Sequence, residues 1–239
     1  MKIVVAAFAY NERKYISHMV DYYQSQGCEL LILDNYSNDG TYEWLVENKI
    51  RTLRVDTNES FHLAKLQHTL LHELTKVCPD WVVYTGIDTY FYFEGTIRAE
   101  IERAAYFNYN TIQTTHLEAY NTGENFALPF QDNYFYIDIK KRKREMIAKY
   151  DAKGFRLIAD TIRIHNKKIY ASDGMLINYG QCKPKAERKE TYARRRKAWK
   201  LGEPEGHGQH YVINQAHNWI WTKEELLDIR ETPYYRMIK

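Results

Sequence analysis

The apolar positions of the first hundred residues fall into two rhythms that alternate along the chain. Lys2 to Ala9 is a nearly unbroken apolar run and reads as a strand buried on both faces of a parallel sheet. From Tyr15 to Gln26 the residues Tyr15, Ile16, Met19, Val20 and Tyr23 recur at helical spacing, and Gly27 ends the helix. Glu29 to Leu33 is a second buried strand ending at Asp34. A polar loop from Asn35 to Gly40 follows, in which Asn38 or Asp39 can cap a helix through Asn48. Ile50 to Val55 predicts a short third strand. Ser60 to Val77 predicts a long amphipathic helix with Leu63, Leu66, Leu70 and Leu74 on its core face. Trp81 to Ile87 is a fourth buried strand, and it stops at Asp88. Glu94-Gly95-Thr96 then turns the chain into a helix from Ile97 to Phe107.

Strand and helix in regular alternation predict an α/β fold: a doubly wound, mostly parallel sheet with helices on both faces and right-handed crossovers. Ligands of such sheets meet the carboxyl ends of the strands. Three loops should gather there: Tyr10 to Arg13, Asp34 to Asp39, and Gly86 to Tyr90. Asp88, a carboxylate at the end of a buried strand, is the first candidate; the competing reading is an aspartate that only caps the following turn. The chain has neither G-x-G-x-x-G nor G-x-x-x-x-G-K-[ST], so neither a dinucleotide cradle nor a phosphate-binding P-loop is supported.

From Thr111 the pattern weakens. Strands are predicted at Thr111 to Glu118 and Asn133 to Ile139, and a hairpin of Phe155 to Ile164 with Lys168 to Ala171 through His165-Asn166-Lys167. Thr222 should cap a short helix from Lys223 to Ile229. The 239 residues suit a single domain with an appended C-terminal region, and they can bury a core without staples.

Charge divides the chain. Residues 1 to 120 hold 10 Lys+Arg against 16 Asp+Glu, and residues 121 to 239 hold 24 against 15. The basic half includes Lys-Lys-Arg-Lys-Arg at 140 to 144 and nine basic residues from Lys183 to Lys200, with Tyr192 and Trp199 among them. Such runs are either solvated faces or footprints for an acidic partner, the candidates being a phosphorylated ligand, a nucleic acid and an anionic membrane surface. Cys28, Cys78 and Cys182 are odd in number and far apart, as free thiols in a reducing compartment are. The opening apolar run is too short for a signal sequence, so a cytoplasmic location is expected. The 21 tyrosines suit sugar or base stacking and pack cores equally well.

His68 and His72 stand at i, i+4, but no zinc-protease order surrounds them, so an exposed helix face is expected. His207, His210 and His217 lie within eleven residues beside Gly206 and Gly208, where a flexible loop could close imidazoles over a metal and phosphate.

Three blocks, Phe8-Ala9-Tyr10-Asn11-Glu12, Leu33-Asp34-Asn35-Tyr36-Ser37-Asn38-Asp39-Gly40-Thr41 and Trp81 to Asp88, together resemble the nucleotide-sugar half of glycosyltransferase family 2, of GT-A fold, over about Ile3 to Gly95. The resemblance implies a nucleotide-sugar-binding half at 1–110 and an acceptor half at 111–239. It implies that Ala7, Phe8, Asn11 and Glu12 line the nucleotide pocket, that Asp34 and Asn35 read the base, typically uracil, and that Lys65 stands beside the nucleotide. Asp88 matches the last residue of an Asp-x-Asp motif that holds a divalent metal, Mn²⁺ or Mg²⁺, on the diphosphate, and His207, His210 or His217 could complete the shell. Gly86 departs from that motif where its first Asp would stand, and a hard cation prefers more than one carboxylate. The metal would then lean on Asp88, a loop histidine and the diphosphate, or a basic residue replaces it, or activity is lost. The activity implied is inverting transfer of a sugar, from a UDP-sugar by preference, to a hydroxyl acceptor such as a glycan. Arg194 to Arg196 are candidates to steady the diphosphate. Asp132 and Glu118 are the candidate bases, with Asp138, Asp160 and Asp173 behind them. The alternative is an inactive module of the same fold that binds a nucleotide, glycan or nucleic acid.

Overall fold

The structure is a computed structural model, described over residues 1–57, 62–120, 136–138, 142–158, 161–183, 186–191, 193, 226–232 and 235–238. The apolar run at the start forms β1 (Ile3–Ala9), with β2 (Glu29–Asp34) on one side and, beyond β2, β3 (Arg51–Arg54), all parallel. On the other side of β1 lies β4 (Trp81–Gly86), also parallel. Alternate residues of β1 then face opposite layers, as a pleated strand requires. Ile3, Val5, Ala7 and Ala9 share a core with Ile16, Met19 and Tyr23 of α1 (Ile16–Ser25) and Leu45 of α2 (Thr41–Glu47). Val4 and Ala6 share the other with Leu66, Leu70 and Leu74 of α3 (Leu63–Val77), while Ile97 and Ile101 of α4 (Ile97–Tyr106) return to the first. The α/β sheet with helices on both faces is therefore as its sequence pattern dictates. His68 and His72 lie on the exposed side of α3. Leu70 is fully buried in that helix, so Leu70→Ala is expected to cost about 2–5 kcal/mol, read as a lower midpoint in denaturant unfolding.

Past β4 the sheet turns mixed. Thr89–Tyr92, just after Asp88, forms a short strand, β5. β6 (Thr111–Tyr120) is the centre of the second half, and β7 (Tyr136–Asp138) pairs antiparallel with its end. β8 (Arg142–Lys149) runs antiparallel to both β6 and β4. β9 (Arg156–Ile158) and β10 (Thr161–Arg163) make a separate hairpin, whose Leu157 and Ile162 pack with Phe155 in the core beneath α3. β11 (Ile169–Asn178) is parallel to β6 and antiparallel to β5.

Two expectations change here. Lys168 to Ala171 does not pair with 155–164; it opens β11, whose Met175, Leu176 and Ile177 are buried in the main core, and the hairpin closes within 155–164 instead. The expected helix from Lys223 to Ile229 is replaced at Leu226–Asp228 by β12, paired with β7, followed by a 3₁₀ turn at Ile229–Glu231 that buries Ile229. Sheet pairing there outweighs the helical propensity of the Glu-Glu-Leu-Leu run. The basic residues Arg142 to Arg144 begin a sheet strand, and because β8 is antiparallel to β4 its basic start lies at the edge where β4 ends. The last described element, α5, is Tyr235–Ile238. Among the described residues no helix is long and apolar enough to cross a membrane.

Candidate active site

The first two loops of the sheet edge are fastened to each other. Asn11, in a left-handed conformation with φ 52°, donates its N–H to Ser37 Oγ at 2.9 Å, and its own Oδ1 accepts from the N–H of Asn38 at 3.0 Å. The N–H groups of Glu12 and Arg13 donate to Thr41 Oγ1 and Asp39 Oδ2, each at 2.9 Å. Asp34 is fully buried and accepts from the Ser37 N–H at 2.9 Å. Burial raises its carboxyl above the usual carboxylate range, against the lowering effect of Ser37 and Arg54. Asn35 accepts from Thr57 Oγ1 at 2.6 Å. Asp34 and Asn35 thus hold the loop, and the exposed side chain above them is Tyr36, whose ring and that of Tyr42 lie 4.5 and 4.7 Å from the Arg54 guanidinium. Ala7 is buried in the sheet, and Phe8 meets Tyr84 edge-on at 5.9 Å. Lys65 Nζ is tied to the Asp56 carbonyl at 2.5 Å, where the chain leaves β3.

The third loop carries Asp88, and the chain returns to it from far away. After β11, Asn178 Oδ1 accepts the Gly180 N–H at 2.8 Å, and Tyr179 donates its N–H to the Asp88 carbonyl at 2.8 Å. A 3₁₀ turn, Gly180–Cys182, then delivers Lys183. A Cβ at position 180 would stand 3.1 Å from Asp88 Oδ2 and one at 86 would stand 3.2 Å from Oδ1, so the carboxylate sits in space that two glycines leave. Lys183 Nζ lies 3.0 Å from Asp88 Oδ2, donates to Glu12 Oε1 and Oε2 at 3.0 Å each, and sits 4.9 Å above the Tyr15 ring. Burial alone would lower the pKa of this ammonium; Asp88 and Glu12 outweigh it and hold the group above the ordinary lysine value. Nearby, in the helical segment 186–191, Glu187 accepts from Tyr15 Oη at 2.5 Å and meets Lys14 Nζ at 3.3 Å. Cys182 is pushed up to about 12 by burial, which makes its thiol unsuited to nucleophilic work.

Tyrosines build the wall behind Asp88. Tyr23 stacks on Tyr90 at 6.1 Å, Tyr22 and Tyr179 meet Tyr90 edge-on at 5.2 and 5.8 Å, and the hydroxyls of Tyr92 and Tyr179 are 3.1 Å apart. Tyr23 Oη donates to the Thr89 carbonyl at 2.7 Å. Part of the tyrosine excess is therefore spent on fixing the β4–β5 turn.

Glu118 stands across the same edge. In register, Asn178 pairs with Thr89 on one side and Glu118 on the other, which puts Glu118 two strand spacings, about 10 Å, from the residue after Asp88. Arg144 Nε donates to His116 Nδ1 at 3.5 Å, and His116 Nε2 faces Glu118 Oε1 at 3.3 Å. Accepting at Nδ1 leaves the ring proton on Nε2, aimed at Glu118. Asp173 accompanies β11 at a distance from this edge, near the start of its paired segment with β5. Asp132, Asp160, Arg194 to Arg196, Tyr192, Trp199, His207, His210 and His217 lie outside the described residues, as does the side chain of Asp138.

A divalent metal at Asp88 is a poor fit to the described side chains. Unit charges 4 Å apart interact by about 4 kcal/mol at an effective dielectric of 20, and a dication doubles that, so a metal bridging Asp88 would be repelled strongly by the Lys183 ammonium already there. The acids of the neighbourhood are already engaged by cations: Glu12 and Asp88 by Lys183, and Glu187 by Lys14. Among the described residues no group of three or more His, Cys, Asp and Glu is placed to hold a metal.

The sequence names Asp88 and Glu12 as candidates, and the structure adds Lys183, Glu187 and Tyr15 beside them. The available signal was the apolar run Met175 to Ile177, a buried strand whose end had to return to the same sheet edge.

No family model matches the chain, and no curated protein does. Among solved structures, the crystal structure of S. aureus TarS 1–349 is similar over 94% of this chain and 77% of that one, at 13% identity and a TM-score of 0.43. The same fragment in complex with UDP is similar over 94% and 77%, at 12% identity and 0.42. The crystal structure of S. aureus TarS is similar over 56% of this chain and 24% of that one, at 18% identity and 0.38. The chain thus spans about a quarter of the length of that last structure. Likeness at this level carries no residue roles.

Proposed function

We propose that this chain is a glycosyltransferase that moves a sugar from a nucleoside diphosphate donor, a UDP-sugar by preference, to a hydroxyl acceptor with inversion. The observation that carries this reading is the meeting of the three sequence blocks at one sheet edge: Asn11 and Glu12 are fastened to Ser37 and Thr41, and Glu12 and Asp88 share the ammonium of Lys183. Inversion needs one base. The acceptor oxygen bonds to the anomeric carbon from the face opposite the diphosphate, its proton passes to a carboxylate, and the donor's C–O bond breaks with its electron pair on the phosphate oxygen. Glu118, oriented by His116, is the described carboxylate best placed for that proton, with Asp132 the other candidate.

A panel of UDP- and GDP-sugars tests the reading, with release of nucleoside diphosphate as the readout. Release from one donor class is expected; no release together with no UDP or GDP binding would end it. Binding without release would favour the inactive-module reading, which Gly86 motivates. Glu118→Gln is expected to lower kcat by about 10²–10⁴-fold while UDP affinity is retained, in steady-state kinetics beside calorimetry. The exposed Arg142 and Lys143 at the ligand edge favour an acceptor bearing negative charge. Activity on such an acceptor should fall steeply between low and high salt, and a flat salt profile would assign these residues to solvated surface.

A further inference from the structure

Within that reading, the charge that a GT-A site of this kind is expected to draw from a metal is here a side chain. Lys183 Nζ is within 3.0 Å of both Glu12 carboxylate oxygens and of Asp88 Oδ2, and the side chain is only 10% exposed. Its position is set by three independent attachments: the Tyr179 N–H on the Asp88 carbonyl, the 3₁₀ turn that follows, and Glu187 on Tyr15 and Lys14 four residues later. The first carboxylate of the Asp-x-Asp pattern is missing, because position 86 is glycine. A lysine ammonium is a compact point charge with three N–H donors that can turn between partners. It can release one carboxylate oxygen to a phosphate oxygen and stay paired with the other acid.

We propose that Lys183 is the resident cation of the site and takes the place of a divalent metal, so that a nucleoside diphosphate binds and departs without one. As the bond between the anomeric carbon and the β-phosphate oxygen breaks, the electron pair goes to that oxygen, and an ammonium already in place meets the growing charge. The acceptor's oxygen takes the vacated bond, and its proton goes to the carboxylate base. Gly180 belongs to the same device, since any side chain there would press on Asp88 Oδ2 and Asn178 Oδ1.

The test is calorimetric titration of the full chain with UDP, then GDP, once in excess EDTA and once in excess Mn²⁺, with the spectrum of added Mn²⁺ followed by electron paramagnetic resonance. Equal affinity in the two media, and Mn²⁺ that stays free without nucleotide, is the expected result. Affinity raised by Mn²⁺ about tenfold or more would overturn the proposal and leave the donor-binding reading standing. Absence of UDP and GDP binding in both media would overturn that reading and the proposal with it. Lys183→Met removes the ammonium that Glu12 and Asp88 share; in EDTA it should bind UDP about 10- to 100-fold more weakly, and Mn²⁺ should restore part of the loss. Lys183→Arg, which keeps the charge, should stay independent of Mn²⁺ even where its larger head weakens binding. A methionine variant that binds UDP as tightly as the natural chain in EDTA would show that the ammonium has a structural role only.

Discussion

Asp88→Ala is expected to lower release of nucleoside diphosphate from a matched donor by about 10²–10³-fold, with the thermal melt little changed. The carboxylate does two things that alanine cannot. It accepts one of the three close contacts of Lys183, and it marks the sheet edge at which the β4–β5 turn opens toward the β1 and β2 loops. Without it the ammonium falls back on Glu12, which belongs to a different loop, and the phosphate loses a fixed partner. Asp88 is partly exposed and its backbone is held independently by Tyr179, so the fold should survive the change. Asp88→Asn separates charge from shape: a loss close to that of alanine would mean that the negative charge positions Lys183. Full activity in either variant would move the site elsewhere.

Lys183→Met should have the largest effect on stability among changes at the site. Removing one partner of a buried ionic group costs about 3–5 kcal/mol. For a chain of this size that is roughly 10 °C in Tm. The sign with pH follows from the direction of the shift. The folded ammonium is held above the ordinary lysine value of 10.5 by Asp88 and Glu12, so its stabilising contribution is complete below that value. The contribution disappears as pH rises through the folded pKa. The difference in melting temperature between the natural chain and the methionine variant should therefore be steady through neutral pH and shrink above about 10.5. It should also shrink in acid, where one of the two facing carboxylates of the variant can take a proton. A difference that is absent at pH 7 would mean that the three contacts contribute nothing net.

The parallel half of the fold was legible because its signals are local. Ile3 to Ala9 and Trp81 to Val83 are apolar at every position, which only a strand with neighbours on both faces tolerates, and α3 carries leucines at helical spacing. The three edge loops and the strand-end Asp88 followed from topology, and Glu12 and Asp34 were singled out within them by the resemblance. The second half was harder because its decisive pairings are long-range. Arg142, Lys143 and Arg144 look like a solvated cluster until β8 is seen between β4 and β6, where Lys143 reaches Thr115 and Arg144 reaches His116. Leu226 and Leu227 read as helix until β7 offers them a partner.

The same distinction separates the parts of the site. Asp34 was expected to read a base; its complete burial and its bond from the Ser37 N–H are properties that residue type at a strand end does not reveal. Lys183 stood in the sequence as the first residue of a basic run. Its role follows only from the return of β11 beside β5, which brings residue 183 to within hydrogen-bonding distance of residues 12 and 88. No spacing rule links three positions so far apart.

The most direct test of the account is the structure of the chain bound to UDP, without added metal. A diphosphate is expected at the sheet edge beside Lys183 and Asp88, with the nucleoside over the Tyr10–Arg13 and Asp34–Asp39 loops. UDP bound on any other surface of the molecule would contradict it.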